Sequence, residues 1–161
     1  MIKKIIIFFT FFTITTYLAA EVQGKLALPK NYNVGKLNQF KKGIKLTKSA
    51  EKLEKKNKIT KAKKKYEKAL EYFLIANKEK QGDVEILNYL GFISTKLGEY
   101  KNSEIYYLLA LSIDSKHVEA NGHLGALYIK TNRIKLAKER LKNLENCNCV
   151  QYFELKKMLL E

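Results

Sequence analysis

The residues that could carry out chemistry in this sequence are two histidines and two cysteines. His117 and His123 lie six positions apart, so on one helix their side chains point in different directions and do not form a pair of metal ligands. No serine or cysteine nucleophile is placed beside either histidine by the sequence. The sequence also lacks a phosphate-binding glycine loop and the His-Glu-x-x-His pattern of zinc enzymes. We therefore predict that the protein is not an enzyme and has no catalytic residue, metal site or cofactor.

The two cysteines, Cys147 and Cys149, are the only pair that could form a disulfide within the chain. Because they are only two positions apart, a bond between them would close a small and strained ring, and this geometry disfavours it. A metal ion would need more ligands than a Cys-x-Cys pair supplies. Free thiols, an intermolecular bridge and a vicinal redox pair remain open, and we favour free thiols.

A sequence pattern recurs along the second half of the chain and must provide the scaffold for these side chains. Moving forward 34 positions from Gly91 reaches Gly125, and a leucine precedes both glycines. Apolar residues in each copy recur three and four positions apart, which predicts amphipathic helices. The residues that define the copies are Leu87, Leu90, Gly91, Gly98, Tyr100, Tyr107 and Ala110 in the first, and Leu124, Gly125, Tyr128, Ala137 and Leu141 in the second.

The glycines of the repeat have two different uses. Gly91 and Gly125 lie within the apolar stripe of a helix, where glycine costs about 1 kcal/mol relative to alanine. That cost indicates that a second helix must approach closely at both positions. Gly98 lies at the end of its helix, where a left-handed residue closes the last turn, and Asn132 takes this place in the next copy.

This pattern resembles the tetratricopeptide-repeat (TPR) family, in which a repeat of about 34 residues carries Leu-Gly, a small residue and aromatic residues at these positions. The resemblance implies an all-α fold, a right-handed α-α superhelix of about three helical hairpins followed by a C-terminal capping helix. Each hairpin would consist of a helix A and a helix B. The predicted domain covers residues 43–161, with repeats at 43–80, 84–117 and 118–149 and the capping helix at 150–160.

The first of these repeats is the weakest, and its register departs from the period. Ala50 corresponds to Gly91, which is 41 positions further on rather than 34. The seven extra residues equal two helical turns and keep the buried face in register. We therefore expect helix B of this repeat to extend to about Lys80. The alternative, a register that keeps the period strictly, would place Lys56 at the Leu-Gly position.

Residues 1–20 have the layout of a secretory signal peptide. Met1–Lys4 is a basic head, Ile5–Tyr17 is uncharged, and small residues precede Glu21. An uncleaved membrane anchor is the alternative, although the apolar run is shorter than the roughly 20 residues of a spanning helix. We therefore predict an exported bacterial type of the family, located in the periplasm, in the cell envelope or outside the cell.

The positive charge of the chain is concentrated in about one quarter of its length. Residues 25–68 contain sixteen lysines and three glutamates, which gives +13 of the total net charge of +15. Residues 21–42, which include the only proline, are predicted to form an extended linker, and this linker overlaps the start of the basic region. Near the end of the linker, lysines surround a few apolar residues, and this arrangement predicts a basic amphipathic patch. The basic residues of this patch are Lys36, Lys41, Lys42 and Lys45.

Three interpretations of this charge remain open. It can be a solvated face with no ligand, which is common for runs of like charge. It can also contact an anionic membrane surface or an acidic protein. Nucleic acid is disfavoured, because an exported chain rarely meets it.

The resemblance also implies a function, since family members are non-catalytic and bind a peptide or helix of another protein in a concave groove lined by helices A. The residues at the matching positions are Asn88, Tyr89, Phe92 and Lys96 in the second repeat and His123, Ala126 and Lys130 in the third, with Glu85, Glu119 and Gly122 beside them. The family's lysine-and-asparagine clamp for a C-terminal carboxylate is only fragmentary, because Thr47 and Glu51 occupy its positions in the first repeat. We therefore expect exposed Tyr89 and Phe92 to hold an apolar anchor of the partner.

These observations predict a protein–protein interaction scaffold whose partner cannot be named from the sequence. The alternative is a peripheral membrane or cell-surface module that acts through the lysine-rich segment 25–68.

Overall fold

The computed structural model describes residues 38–161 of the chain. This range contains seven helices and no β-strand, which confirms the all-α prediction. The predicted signal segment, most of the predicted linker and Lys36 lie outside the described residues. The helices are α1 (Gln39–Lys55), α2 (Ile59–Glu79), α3 (Val84–Leu97), α4 (Tyr100–Ile113), α5 (Val118–Lys130), α6 (Ile134–Asn143) and α7 (Val150–Met158).

The helices form three hairpins and a terminal helix. α1 packs on α2, α3 on α4 and α5 on α6, while α2 also contacts α3 and α4 also contacts α5. The terminal helix α7 packs mainly on α5. The second helix of each hairpin therefore lies against the first helix of the next, as expected for stacked helical repeats. None of the helices in the range 38–161 is long and apolar enough to cross a membrane.

The first hairpin differs from the prediction at its start and agrees with it at its end. α1 begins at Gln39, so the extended linker predicted to reach residue 42 ends earlier. The reason is that Phe40 packs edge-on against Phe73 and Tyr89, with ring centroids 5.8 and 5.6 Å apart, and this contact holds the first turn on the domain. α2 continues to Glu79, close to the predicted end at Lys80.

Two glycines allow helices to approach closely within a hairpin. A Cβ atom placed on Gly91 would lie 2.5 Å from the Tyr107 ring of α4, and one placed on Gly43 would lie 2.7 Å from the Phe73 ring of α2. Real Cβ atoms do not approach a ring this closely, so both aromatic side chains need the missing Cβ. The sequence pattern identifies Gly91 for this purpose but not Gly43.

Gly125 has a different neighbour from the one predicted. The side chain that fills the space above it is Leu155 of α7, not a residue of the second helix in its own hairpin. α6 is only 10 residues long, and α7 packs against α5, so the terminal helix occupies the position that α4 occupies over Gly91.

Left-handed residues end the helices where the sequence predicts them. Gly98 closes α3 with φ 84°, and Asn132 follows α5 with φ 59°. Asn57 between α1 and α2 has φ 54°. At the other end of α3, the Asp83 side chain accepts a hydrogen bond from the Ile86 amide at 3.1 Å and caps the helix.

The two cysteines contradict the favoured prediction of free thiols. Cys147 and Cys149 form a disulfide whose Cα atoms are 5.1 Å apart. Asn148 between them has φ 47°, a left-handed conformation that asparagine tolerates better than most residues. The chain therefore reverses within one residue and brings both sulfur atoms to the same side.

Candidate functional site

The first helices of the three hairpins, α1, α3 and α5, together line a pocket of about 280 Å³. Each helix contributes side chains from the face that its hairpin partner does not cover. We refer to this pocket as the groove. The lining residues are Ile44, Thr47, Lys48 and Glu51 from α1, Glu85, Asn88, Tyr89 and Phe92 from α3, and Glu119 and His123 from α5.

One wall of the groove is aromatic and more deeply buried than the sequence predicts. Tyr89 stacks on Phe73 with ring centroids 4.9 Å apart and planes inclined by 16°. Phe92 lies beside the ring of His123, at 5.2 Å between centroids. Tyr89 and Phe92 are therefore partly buried, rather than exposed, because each packs on a side chain of a neighbouring helix. Burial also raises the pKa of the Tyr89 hydroxyl.

His123 is a neutral part of this wall. Its Nδ1–H donates to Oδ1 of Asn88 at 3.0 Å, since an amide oxygen can only accept. Its ring also lies 5.7 Å from that of Tyr107, between centroids. Burial lowers the pKa of His123 to about 4, so the imidazole is uncharged near neutral pH. This hydrogen bond links α3 to α5, and Asn88 is itself buried.

The rim of the groove carries one carboxylate from each of the three helices. These are Glu51, Glu85 and Glu119, which are 34 positions apart, although in the offset of 41 that relates the first repeat to the second Glu51 corresponds to Phe92. The Glu85 carboxylate accepts a hydrogen bond from His117 Nε2 at 3.1 Å, because Nδ1 of His117 accepts from the Ala120 amide and caps α5. Lys48 is the only lysine or arginine among the described residues that line the groove. The groove is therefore acidic, although the chain as a whole is strongly basic.

Three of the predicted groove residues do not line the groove. Lys96 binds the Glu54 carboxylate at 2.7 Å at the far end of α3. Lys130 lies over the Tyr100 ring, 5.4 Å from its centroid. Ala126 is partly buried on α5 but does not contact the pocket.

Gly122, which the sequence places beside the groove, also lies elsewhere. The backbone of α5 at Gly122 packs against Gln151 of α7, and a Cβ atom added there would lie 2.9 Å from the Gln151 Cβ. The terminal helix therefore covers this part of α5.

Sequence reasoning missed two lining residues, Ile44 and Lys48. Both could have been found from the offset of 41 positions that relates the first repeat to the second. With that offset Lys48 corresponds to Tyr89, and Ile44 corresponds to Glu85.

The other three basic residues of the predicted patch lie within about one turn of each other on α1. Lys41, Lys42 and Lys45 are exposed on α1, and the ammonium of Lys42 lies 5.6 Å from the centroid of the Tyr72 ring. Among residues 38–161, no group of three or more histidine, cysteine, aspartate or glutamate side chains is arranged to hold a metal ion.

Comparison with known proteins supports the repeat and the fold. A family model described as tetratricopeptide repeat matches residues 84–117. Together with the helix packing, this match confirms the prediction of TPR-like hairpins. No curated protein sequence matches the chain.

Solved structures of TPR domains are similar to this one. The C-terminal TPR-containing domain of a Plasmodium falciparum putative FK506-binding protein has a TM-score of 0.50 and 20% identity over 80% of this chain and 93% of that one. At this identity the similarity shows a shared fold alone.

Two further solved structures have slightly lower scores. The TPR domain of Arabidopsis OM64 has a TM-score of 0.49 and 17% identity, covering 76% of this chain and 97% of that chain. The first TPR of Spaghetti (RPAP3), solved with the HSP90 peptide SRMEEVD, has a TM-score of 0.48 and 19% identity, covering 73% of this chain and 90% of that chain.

Proposed function

Since residues 84–117 match the tetratricopeptide-repeat model, we propose that the chain is a protein of this family, a non-catalytic scaffold that holds a segment of another protein in the groove. The observation that carries this proposal is the composition of the groove. Three successive first helices contribute to it, one wall is aromatic, and one carboxylate from each helix stands at the rim. Such a surface can bind an extended or helical segment along its length.

The chemistry of the groove favours a partner segment with an apolar anchor beside a positive charge. Phe92 and Tyr89 offer a partly buried aromatic surface, and aromatic residues of this kind are frequent binding hot spots. The three rim carboxylates outnumber the single cation, Lys48, and His123 is neutral. A lysine or arginine of the partner would therefore be attracted, and an acidic C-terminal segment would be repelled.

The proposal also includes the location of this binding. The basic head and uncharged stretch within residues 1–20 support export, so the partner would be a protein of the periplasm, the cell envelope or the cell exterior. Mass spectrometry of the protein recovered from cell fractions tests this part. A mature chain that begins near Glu21 and is found outside the cytoplasm is the expected result, and a full-length cytoplasmic chain would contradict it.

The binding itself is tested by crosslinking in cells and recovery of the tagged protein at low and high salt. We expect one dominant partner in the wild type and its loss in Phe92→Ala, which removes an apolar contact and weakens binding by about tenfold. Phe153→Ala is the control, because Phe153 is an exposed aromatic residue on α7, outside the groove. Equal recovery with both variants would refute the groove as the binding site.

The electrostatic part needs a separate measurement. Glu85→Gln with Glu119→Gln should weaken binding of the recovered partner's segment and reduce the salt dependence of the remaining affinity. Lys48→Gln should leave binding equal or stronger. A partner that binds more tightly after loss of the two carboxylates would contradict the expected cationic character.

A further inference from the structure

A second surface of the molecule, on the outer side of α4, takes no part in the groove. Its side chains recur at helical spacing and belong to the face opposite the buried residues of this helix. Four of them are large apolar residues that remain 42 to 53% exposed. These four residues, which we call the α4 ridge, are Ile105, Leu108, Leu109 and Ile113.

The α4 ridge is unusual for a helix at the surface. The opposite face of α4 is already apolar, with Tyr107 and Ala110 fully buried in the core. A helix that is apolar on both faces is normally covered on both. The remaining exposed side chains of α4 are Lys101 and Ser112, and its one acidic residue, Glu104, is partly buried and paired with Arg133. Four adjacent apolar side chains form a patch, unlike single exposed residues, and such patches mark interaction sites.

The helices on either side of α4 carry lysines. α2 and α4 both pack on α3, while α4 and α6 both pack on α5, so α2 and α6 come before and after α4 in the stack of second helices. Glu67, Glu71, Glu79 and Glu139 are the exposed acidic residues among their lysines. The exposed lysines of the two helices are Lys61, Lys63, Lys64, Lys65, Lys68 and Lys78 on α2 and Lys135, Lys138 and Lys142 on α6.

We propose that the α4 ridge and the lysines of α2 and α6 dock this protein onto an anionic lipid bilayer. The ridge enters the boundary between headgroups and acyl chains, where partly exposed leucine and isoleucine side chains gain from burial. The lysines contact anionic headgroups with their ammonium groups while their long stems follow the apolar surface. Lipid chains accept the ridge without the shape complementarity that a protein partner would need.

This surface differs from the charge-driven membrane contact predicted for residues 25–68. The apolar part on α4 and the three lysines on α6 lie outside that segment, whereas five of the six α2 lysines lie within it. It is also separate from the groove, since none of the residues of α2, α4 or α6 lines the pocket. The scaffold can therefore hold a partner in the groove while the α4 ridge rests on the bilayer.

The absence of tryptophan from the chain allows a probe that reports on one position. Leu108→Trp in the full chain places a single fluorophore on the α4 ridge, and Phe153→Trp places one at a similarly exposed site on α7. The vesicles contain one fifth phosphatidylglycerol in phosphatidylcholine. We expect the tryptophan emission to shift to the blue and to be quenched by brominated lipid for Leu108→Trp only. Because the probe reports its own surroundings, insertion of residues 1–20 would not imitate this result.

Partitioning measured by vesicle flotation tests the energetic contribution of each part. Leu108→Ser with Leu109→Ser should weaken binding to anionic vesicles by at least tenfold. Lys64→Glu with Lys65→Glu should weaken it by a similar factor and reduce its preference over neutral vesicles. Lys156→Glu with Lys157→Glu on α7 is the matched control for charge, and circular dichroism confirms that each variant is folded.

Three results would overturn the proposal. One is a Leu108→Trp emission spectrum that does not change with anionic vesicles. Another is unaltered vesicle binding after both leucines are replaced. The third is crosslinking in cells from position 108 to an acidic protein rather than to lipid, which would assign the α4 ridge to a protein partner.

Discussion

The histidine in the wall of the groove makes the stability of the domain depend on pH. The pKa of His123 is lowered to about 4 chiefly by burial, which outweighs the opposing effect of the Glu119 carboxylate. In the unfolded chain a histidine has a pKa of about 6.5. Between these two values the unfolded chain binds a proton that the folded chain does not bind.

The sign and the size of the effect can be worked out from this difference. The contribution of His123 to the free energy of unfolding is fully present above about pH 6.5, decreases as the pH falls, and is lost by about pH 4. The difference between the two pKa values corresponds to about 3 kcal/mol. This is a large fraction of the stability of a typical domain, which is about 5–15 kcal/mol.

Urea unfolding of wild type and His123→Gln, followed by circular dichroism at pH 7.0, 5.5 and 4.5, measures this contribution. Glutamine retains an N–H donor for the Asn88 oxygen but does not titrate. We expect the advantage of the wild type over the variant to fall by about 2–3 kcal/mol between pH 7.0 and 4.5. His117 and the carboxylates are present in both chains and cancel in the comparison. Parallel pH profiles for the two proteins would refute the reasoning.

Substitutions at three positions test the local structure through the free energy of unfolding. Gly91→Ala should lower it by about 1–3 kcal/mol, because the new Cβ would lie 2.5 Å from the Tyr107 ring. Helix propensity alone would increase the free energy of unfolding, and such an increase would contradict the close contact. Asn132, with φ 59°, should accept glycine within about 1 kcal/mol, whereas valine should cost about 1–2 kcal/mol, and equal effects would argue against a left-handed turn. Asp83→Ala should cost about 1 kcal/mol through loss of the cap on the Ile86 amide, and Asp83→Asn should restore most of it.

The sequence predicts the hairpins well because the spacing of small and aromatic residues indicates which helix faces meet. Gly91 is an example, since its partner Tyr107 lies within the same repeat. Gly125 occupies the same place in the period, yet it meets Leu155 from outside the repeat. Leu141 on α6 is 34 positions after Tyr107, but Leu155 fills the space, and the period contains no information about a helix that comes after its last copy.

The groove was predictable in outline and less so in detail. Asn88, Tyr89, Phe92 and His123 all line it, as their positions in the repeat suggest. Their burial was not predictable, because it depends on contacts between repeats. Tyr89, for example, is covered by Phe73, which stacks on it only because α2 is longer than the period requires.

Helix α3 belongs to both halves of the hydrophobic core. Its residues Ile86, Leu90 and Ile93 pack with α1 and α2, while Leu87 packs with α4 and α5. Unravelling that starts at either end of the stack leaves α3 in contact with an intact half, so its amides open only when both halves have opened. The amide hydrogens of α3 should therefore exchange with solvent more slowly than those of α1 or α6, and the helix that contributes most to the aromatic wall is also the most persistent part of the domain.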